Sequence, residues 1–306
     1  MPRVRSLRQP LRRIGDQWQP IGWQEAFDLV AEKLVAVQQQ HGGNAIGIYM
    51  GNPSVHNWGM ITHAANFFKP LKTRNRFSAT SVDQLPHQLL CYWMYGHQVL
   101  VPVPDIDRTQ LLIIVGGNPM ASNGSLWTVP GFRHRAKALQ QRGGQLVVID
   151  PRRSETADIA DQHHFVRPGS DAFLLLAMVR EIVANNWVKL GHLSDSLVGL
   201  EEVKAAVEPF TLELAAQQTG MSAAAISALT RQFAHTDNAV TYGRMGISVQ
   251  RFDAICQWAI QLLNLLTGNL DRAGGTLLTH PAVMEPGAGD NQQGSFARRH
   301  SRVGNY

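Results

Sequence analysis

LLIIVGGNP, residues 111–119, is an apolar run that ends in a glycine turn, and it decides the fold. QLVVIDPRR (145–153) repeats the pattern but ends in an acid, and RPGSD (167–171) then opens a helix. Repeated strand, turn and helix is typical of a parallel α/β sheet, whose turns present backbone N–H groups to phosphate. An acid that closes the next strand is placed for a ribose or a base. We therefore predict an α/β protein with a Rossmann-like parallel sheet that holds a nucleotide-type cofactor.

The glycine turn departs from the dinucleotide fingerprint. NAD-binding proteins place G-x-G-x-x-G after the first strand, whereas this turn is Gly116-Gly117-Asn118-Pro119. Pro119 removes one backbone donor and fixes its own φ. Ordinary NAD(P) binding is therefore the weaker interpretation. A glycine pair alone would indicate only a tight turn, but further polar segments follow at α/β spacing.

Composition limits the class of protein. The chain has 306 residues, 44% hydrophobic and 17% charged, which is enough to bury a sizeable core. Its net charge is +5, but the arginines concentrate at the two ends without aromatic residues between them, so we expect no nucleic-acid partner. No apolar run has the length of a membrane span, so we expect no direct membrane insertion. Cys91 and Cys256 lie far apart in apolar helical contexts and are predicted to be buried, inert thiols.

Apolar spacing predicts the remaining elements. They are an amphipathic helix at 23–39, a buried strand at 45–51, a helix at 55–68, a strand-like piece at 74–80, a helix toward Met94, a long helix at 171–187, short helices over 199–235, and a strand at 239–246 that leads into a helix ending at LLTGN. The loop GNPSVHNWG follows the strand at 45–51, on the carboxyl side where open α/β sheets bind ligands. The tail at 281–306 shows no periodicity.

Several segments together carry a resemblance to a known family. In chain order they are GNPSVHNWG, SATSVDQ, GGNPMASNG, IDPRRSETADIADQHHFVRPGSDAFLL, and YGRMG followed by LLTGNLDRAGG. The combination resembles the central part of molybdopterin oxidoreductases of the DMSO reductase and formate dehydrogenase type, over roughly residues 10–275. The resemblance implies a Rossmann-like domain at 78–272, part of a second, discontinuous α/β domain at 1–77, and a truncated return to that domain at 273–306.

The resemblance also implies a cofactor: molybdenum or tungsten held by two molybdopterin guanine dinucleotides. The matching positions are Gly117, Asn118 and Pro119 for the phosphates, Asp150, Pro151 and Arg152 for the guanosine, Pro168, Gly169, Ser170 and Asp171 for the guanine, and Gly116, Asn123, Met245, Gly246 and Gln250 as further cofactor-binding residues. Gln250 stands one place beyond the usual glutamine position, which is Val249 here. A carboxylate such as Asp171 can accept two hydrogen bonds from guanine, although capping of a turn or helix is the alternative for Asp150 and Asp171.

Aligning L-x-T-x-N (71–75) with relatives that use cysteine as metal ligand puts Asp83 in the ligand's place. An aspartate is a hard anionic donor suited to a high-valent metal. The alternative is that Asp83 caps the helix toward Met94, with Ser81 the next candidate ligand. Gln84 replaces the histidine that formate dehydrogenases carry there, so formate is not favoured as substrate. Gln84 and His56, in the GNPSVHNWG loop, are the remaining catalytic candidates.

The implied function is two-electron oxidation or reduction, or oxygen-atom transfer, of a small molecule at the metal, with an electron-transfer subunit as partner. An iron–sulfur cluster is expected only in an N-terminal domain outside this chain, and without that domain and a C-terminal cofactor-binding domain we expect no activity. The compartment is predicted as cytoplasmic, or periplasmic if a twin-arginine signal lies upstream. The alternatives are a non-molybdenum subunit like the large iron–sulfur subunit of complex I, and an NAD(P)-dependent dehydrogenase. His163 and His164 are adjacent on a strand and point to opposite faces, so we assign them to packing rather than to a metal.

Overall fold

The computed structural model describes residues 7–279, apart from the side chains of Asn52, Val55 and Ser81. By its internal contacts the described chain divides into two compact units, residues 7–79 and residues 80–279. Each unit is described by itself below.

The unit at 7–79 contains a hairpin and a small parallel pair of strands. Its elements are β1 (Leu11–Ile14), β2 (Gln17–Pro20), α1 (Trp23–His41), β3 (Ile48–Met50), α2 (Trp58–Phe68) and β4 (Arg76–Ser78), with 3-10 turns at Gly43–Ala45 and Asn52–His56. β1 and β2 pair antiparallel, whereas β3 and β4 pair parallel on either side of α2. Ile46, Ile48 and Leu71 form the buried core of this unit.

Helix α1 confirms the helix predicted at 23–39. Its apolar face, however, is not buried. Its apolar residues recur at helical spacing, yet none of its residues is buried. Trp23 and Phe27 expose 61% and 60% of their surface. Leu34 of this helix is half-buried and packs against the core of Ile46, Ile48 and Leu71.

The unit at 80–279 carries the larger sheet. Its strands are β5 (Val103–Pro104), β6 (Leu111–Val115), β7 (Gln145–Ile149), β8 (Gln162–His164), β9 (Ala239–Gly243) and β10 (Thr276–Leu277). Its helices are α3 (Thr80–Asp83), α4 (Leu85–Tyr95), α5 (Pro119–Ser122), α6 (Phe132–Gln141), α7 (Asp171–Ala184), α8 (Leu200–Val207), α9 (Leu212–Thr219), α10 (Ala223–His235), α11 (Met245–Ser248) and α12 (Asp253–Leu266), with 3-10 turns at Ser125–Trp127, Ala157–Ile159 and Gly191–Ser196.

The main sheet has the order β8-β7-β6-β9, and every neighbouring pair is parallel. Central strand β6 is buried on both faces. Leu111, Ile113 and Val115 pack in the cluster that contains α7, α10 and α12. Leu112 and Ile114 pack on the other face in the cluster that contains α6. This alternation is the two-residue period of a strand, and truncating one of these side chains to alanine costs about 2–5 kcal/mol.

The predicted α/β class with a parallel sheet is confirmed, while several boundaries were wrong. The strand predicted as buried at 45–51 is only three residues long, and Tyr49 is 80% exposed. The helix predicted from 55 starts at Trp58, because the Asn57 side chain accepts a hydrogen bond from Met60 N–H and caps it there. The helix predicted to 187 ends at Ala184. The β1–β2 and β5–β10 pairs were not predicted, and residues 281–306 lie outside the described part.

Candidate functional site

The predicted cofactor residues of the larger unit follow the carboxyl ends of β6, β7 and β9 or open helix α7. In a parallel sheet these ends share one edge, and that edge is where open α/β proteins bind ligands. The structure ties the loops together there: Gly116 N–H donates to Ile149 O at 3.0 Å, and Arg244 N–H donates to Val115 O at 3.1 Å. The residues after these three strands therefore form one candidate site.

Gly116 is required by a close approach of two backbones. Its φ is +57°, and a Cβ on it would lie 2.9 Å from the Cα of Gly246. Gly246 N–H in turn donates to Gly116 O at 2.9 Å. Any larger residue at either position would push the two loops apart. Gly116 and Gly246 thus set the spacing of the site, and Met245 between Arg244 and Gly246 is exposed.

Gly117 lies where a side chain would collide with the protein itself. A Cβ on Gly117 would meet Ile114 Cγ2 at 3.0 Å and Arg244 Cβ at 3.4 Å. The missing side chain therefore makes room for the protein's own packing. Among the described residues, the N–H groups of Gly117 and Asn118 donate no hydrogen bond, so the backbone of the turn still presents donors.

Asn118 links the loops after β6 and β7. Its Oδ1 accepts from the Thr156 hydroxyl at 2.7 Å, and its Nδ2 donates to Glu155 Oε2 at 2.6 Å. Pro119 is buried and begins α5, where its missing N–H costs nothing. Asn123 ends that helix in the left-handed region at φ +51°. These residues hold the shape of the turn that contains the two undonated N–H groups.

The IDPR segment places an acid and a cation after β7. Asp150 Oδ1 accepts from Arg152 N–H at 2.8 Å, which is a turn-capping bond that leaves its second oxygen for other donors. Pro151 and Arg152 are exposed, and Arg152 approaches Glu155 at 3.4 Å. The capping alternative and the binding prediction for Asp150 are compatible.

Asp171 and Gln250 lie together at the start of α7. Asp171 is 5% exposed, and its Oδ2 accepts from Gln250 Nε2 at 3.0 Å. Burial raises the pKa of the Asp171 carboxyl, the hydrogen bond from Gln250 opposes that rise, and the charge of Asp150 adds to it. Gln250 Oε1 is buried without a partner in the described part. The pair offers a buried acidic acceptor beside an unused acceptor.

The RPGSD turn positions Asp171. Ser170 is the N-cap residue of α7, and its hydroxyl donates to Arg167 O at 2.6 Å instead of capping the helix. Gly169 adopts φ +79°, and Pro168 precedes it on the exposed surface. Asp171 itself is the first helical residue, where a carboxylate is favoured by the helix dipole.

Asp83 forms an ion pair with Arg244. Asp83 is the last residue of α3, and its Oδ1 accepts from Arg244 Nη2. The alternative that Asp83 caps the next helix is wrong, because the N-cap residue of α4 is Gln84, which makes no side-chain capping bond. Gln84 lies half-buried, and its Oε1 is 3.5 Å from Gln88 Nε2.

Sequence analysis missed Arg244 and His87. The Arg244 side chain is 4% exposed, and its Nε and Nη1 are buried without partners among the described residues. His87 Nε2 lies 3.0 Å from Gly243 O, and burial together with the charge of Arg244 lowers the pKa of His87 to about 3. His87 is therefore neutral, and its buried Nδ1 has no described partner. A cation directly after the strand AVTYG was the signal that could have identified Arg244.

The remaining candidates are His56 and the adjacent pair His163 and His164. His56 is an exposed residue that ends the 3-10 turn at Asn52–His56 in the unit at 7–79. His163 Nε2 contacts Asp150 O at 3.0 Å, and its ring centre lies 4.3 Å from that of Phe165. Burial, aided by His163, lowers the pKa of His164. Among residues 7–279 no group of three His, Cys, Asp or Glu side chains is arranged to hold a metal.

Both cysteines lie in the environment that the sequence predicts. Cys91 and Cys256 are free and buried, as predicted, and burial raises the pKa of the Cys91 thiol to about 12. In the described part of the chain, no helix has the length and apolar character that crossing a membrane requires.

Several known proteins are similar to this chain in sequence or in fold. It is 29% identical to formate dehydrogenase H of Escherichia coli over 272 residues, which cover 87% of the chain and 37% of that protein. It is 26% identical to the thiosulfate reductase molybdopterin-containing subunit of Salmonella typhimurium, covering 87% of the chain and 34% of that protein. The chain thus spans about a third of the length of these relatives.

A solved structure of acetylene hydratase from Pelobacter acetylenicus has the same fold, with a TM-score of 0.70 and 24% sequence identity. The match covers 89% of this chain and 37% of that one. The family model described as molybdopterin oxidoreductase matches residues 6–298. Because this match includes both units and all of the loops that form the candidate site, the chain belongs to the molybdopterin oxidoreductase family.

Proposed function

We propose that this chain supplies the cofactor-binding centre of a molybdenum or tungsten oxidoreductase whose cofactor is a bis-molybdopterin guanine dinucleotide. The observation that carries the proposal is the grouping of the Gly117–Asn118 N–H donors with Asp150, Asp171 and Gln250 at one edge of the sheet. Family membership supports the pterin and the metal. The donor and acceptor set supports the guanine nucleotide.

The residues present fit such a cofactor. Phosphate oxygens need N–H donors, and the turn at Gly117 and Asn118 offers unused ones. A guanine edge offers N–H donors, which the oxygens of Asp150, Asp171 and Gln250 can accept. Buried polar atoms are normally paired, so the unpartnered Gln250 Oε1 and Arg244 Nε and Nη1 are best explained by a polar ligand.

Within this proposal each loop has a role. Gly116 and Gly246 keep the two loops at backbone contact, and Asn118, Pro119 and Asn123 hold the turn. Pro151, Arg152, Pro168, Gly169 and Ser170 would border the guanosine, and the exposed Met245 is a further candidate contact. The metal, when bound, would supply two-electron redox chemistry, and Asp83 would be its protein ligand through a hard carboxylate oxygen.

The substrate is proposed to be a small molecule, because the names of the relatives refer to formate, thiosulfate and nitrate. Gln84, next to Asp83, and His56 stay candidate substrate residues, with Ser81 as the second candidate ligand. We further propose that the whole protein carries an iron–sulfur cluster, passes electrons to a partner subunit and functions in the cytoplasm. The boundary between residues 79 and 80 supports a Rossmann-like domain that starts near residue 78.

The test uses the full-length protein from a host that makes the cofactor. We expect stoichiometric molybdenum or tungsten, and guanine nucleotide released on acid hydrolysis. Asp171→Ala should lose nucleotide and metal together, because guanine donors would lose their acceptor. Asp161→Ala is the matched control, since the Asp161 carboxylate accepts from Leu146 N–H at 2.7 Å near the start of β7, at the opposite edge of the sheet. Folded protein that contains no metal and no pterin would instead support a non-molybdenum subunit.

A further inference from the structure

We propose that Arg244 is a positioning residue that holds Asp83 by Oδ1 and leaves Oδ2 as the oxygen offered to a metal. The inference rests on the proposed role of Asp83 as ligand. It concerns a contact that no sequence motif indicated, since Asp83 and Arg244 are separated by 161 positions in the chain.

Arg244 is itself held firmly. Its N–H donates to Val115 O at 3.1 Å, so its backbone is fixed to the end of β6. Its Cβ lies against Gly117, where an added Cβ would be 3.4 Å away. Gly117 therefore leaves the volume through which the arginine stem passes. The side chain of Arg244 is 4% exposed. Because Arg244 directly follows β9, that strand sets the direction from which the guanidinium reaches Asp83.

Asp83 balances the buried positive charge of Arg244. Within residues 7–279, Asp83 is the acidic group paired with it. His87 on α4 is neutral, because burial and the charge of Arg244 lower its pKa, so it adds no second positive charge beside Arg244. A buried guanidinium without an anion is strongly disfavoured, so Arg244 retains Oδ1 of Asp83. The carboxylate cannot turn freely.

Asp83 has little else to orient it. It belongs to a helix of only four residues, and among the described residues no second hydrogen bond to its carboxylate is found. Its side chain is 21% exposed, whereas that of Arg244 is almost fully buried. The pair therefore has a fixed buried end and an accessible end. Asp83 is thus the partner with accessible surface, and in the described part its Oδ2 accepts no hydrogen bond.

The experiment compares Arg244→Gln, Arg244→Lys and Asp83→Asn in the full-length metal-loaded protein. The measurements are metal content, activity per bound metal and the electron paramagnetic resonance spectrum of the metal. We expect Arg244→Gln to change the spectrum and to lower activity per metal roughly 10–100-fold, the range seen when residues that orient metal ligands are replaced. Arg244→Lys keeps the charge but not the planar fork, so its spectrum should shift less.

Arg108→Gln is the matched control. Arg108 pairs with the buried Asp105 at 2.6 Å in the same unit, but neither residue is placed in the candidate site. Its removal should leave the spectrum and the activity per metal as in the wild type. A general effect of breaking an aspartate–arginine pair would appear in this variant too, and that result would contradict the inference.

The outcomes separate the inference from the proposed function. If Asp83→Asn changes the spectrum while both Arg244 variants match the wild type, Arg244 does not position the ligand and the inference is overturned. If Asp83→Asn itself matches the wild type, Asp83 is not the ligand, and the proposed ligand fails instead. Should Arg244→Gln fail to fold, Arg244→Lys decides by the same spectrum.

Discussion

Asp83 and Asp171 are both aspartates of the candidate site, but their partners differ. Asp83 faces the guanidinium of Arg244, whereas Asp171 is buried against the neutral amide of Gln250. The ionised form of Asp83 is favoured because it balances the buried charge of Arg244. The second is disfavoured as an anion by burial, which raises its pKa. The same substitution should therefore destabilise the protein more at Asp83 than at Asp171.

The largest effect is expected for Asp83→Ala in the full-length protein. Removing one partner of a buried ion pair costs about 3–5 kcal/mol, because the guanidinium stays buried without an anion. Asp83→Asn should cost less, since an amide oxygen can still accept from Arg244. Chemical denaturation measures both. An alanine variant within about 0.5 kcal/mol of the wild type would contradict the buried pair.

Asp171→Ala should cost about 1–3 kcal/mol, because it leaves the buried Nε2 of Gln250 without its carboxylate acceptor. Asp171→Asn should cost little or nothing, since asparagine keeps an acceptor and removes a buried charge. Its binding of guanine nucleotide should nevertheless fall. Melting curves and nucleotide content are measured on the same samples. Equal losses of stability for Asp171→Asn and Asp83→Asn would contradict the proposed difference between the two aspartates.

Gln250→Ala removes the hydrogen bond to Asp171 and a weak one to Cys256 Sγ at 3.6 Å, and it should cost about 0.5–1.5 kcal/mol. It should also raise the pKa of Asp171 further, because the bond that opposes the effect of burial is lost. The matched control is Gln232→Ala, a glutamine on α10 that bonds Gln145 on the surface at 2.5 Å. If the two variants unfold at the same denaturant concentration, Gln250 has no special role.

The smallest effect is the pH dependence that Asp171 contributes. Its folded pKa is raised above the ordinary value of 3.8, so the folded state binds more protons than the unfolded state between these two values. The free energy of unfolding should therefore fall as pH rises through that window. Asp171→Asn should lack this fall. Denaturation midpoints of both proteins, measured upward from about pH 4, test it. Parallel curves for the two proteins would show that burial does not raise the pKa of the Asp171 carboxyl.

Much of the sheet could be predicted because its signals are local. The apolar runs at 111–115 and 145–149 and the turn residues after them, Gly116-Gly117 and Asp150-Pro151, lie in single short segments, and a fully buried parallel strand has such a run as its sequence. The two-residue strands β5 and β10 carry no such signal. Their pairing depends on residues 103–104 meeting residues 276–277, which no local pattern encodes.

For the candidate site, the sequence by itself determined which loops carry it, since Asp150, Asp171 and the turn at 116–119 lie in motifs of contiguous residues. Only the tertiary structure decided what each side chain contacts. Asp83 meets Arg244 across 161 positions, Asp171 meets Gln250 across 79, and Gly117 makes room for the side chain of Arg244. Local propensity acts over a few residues, whereas these contacts arise because parallel strands bring distant loops to one edge of the sheet.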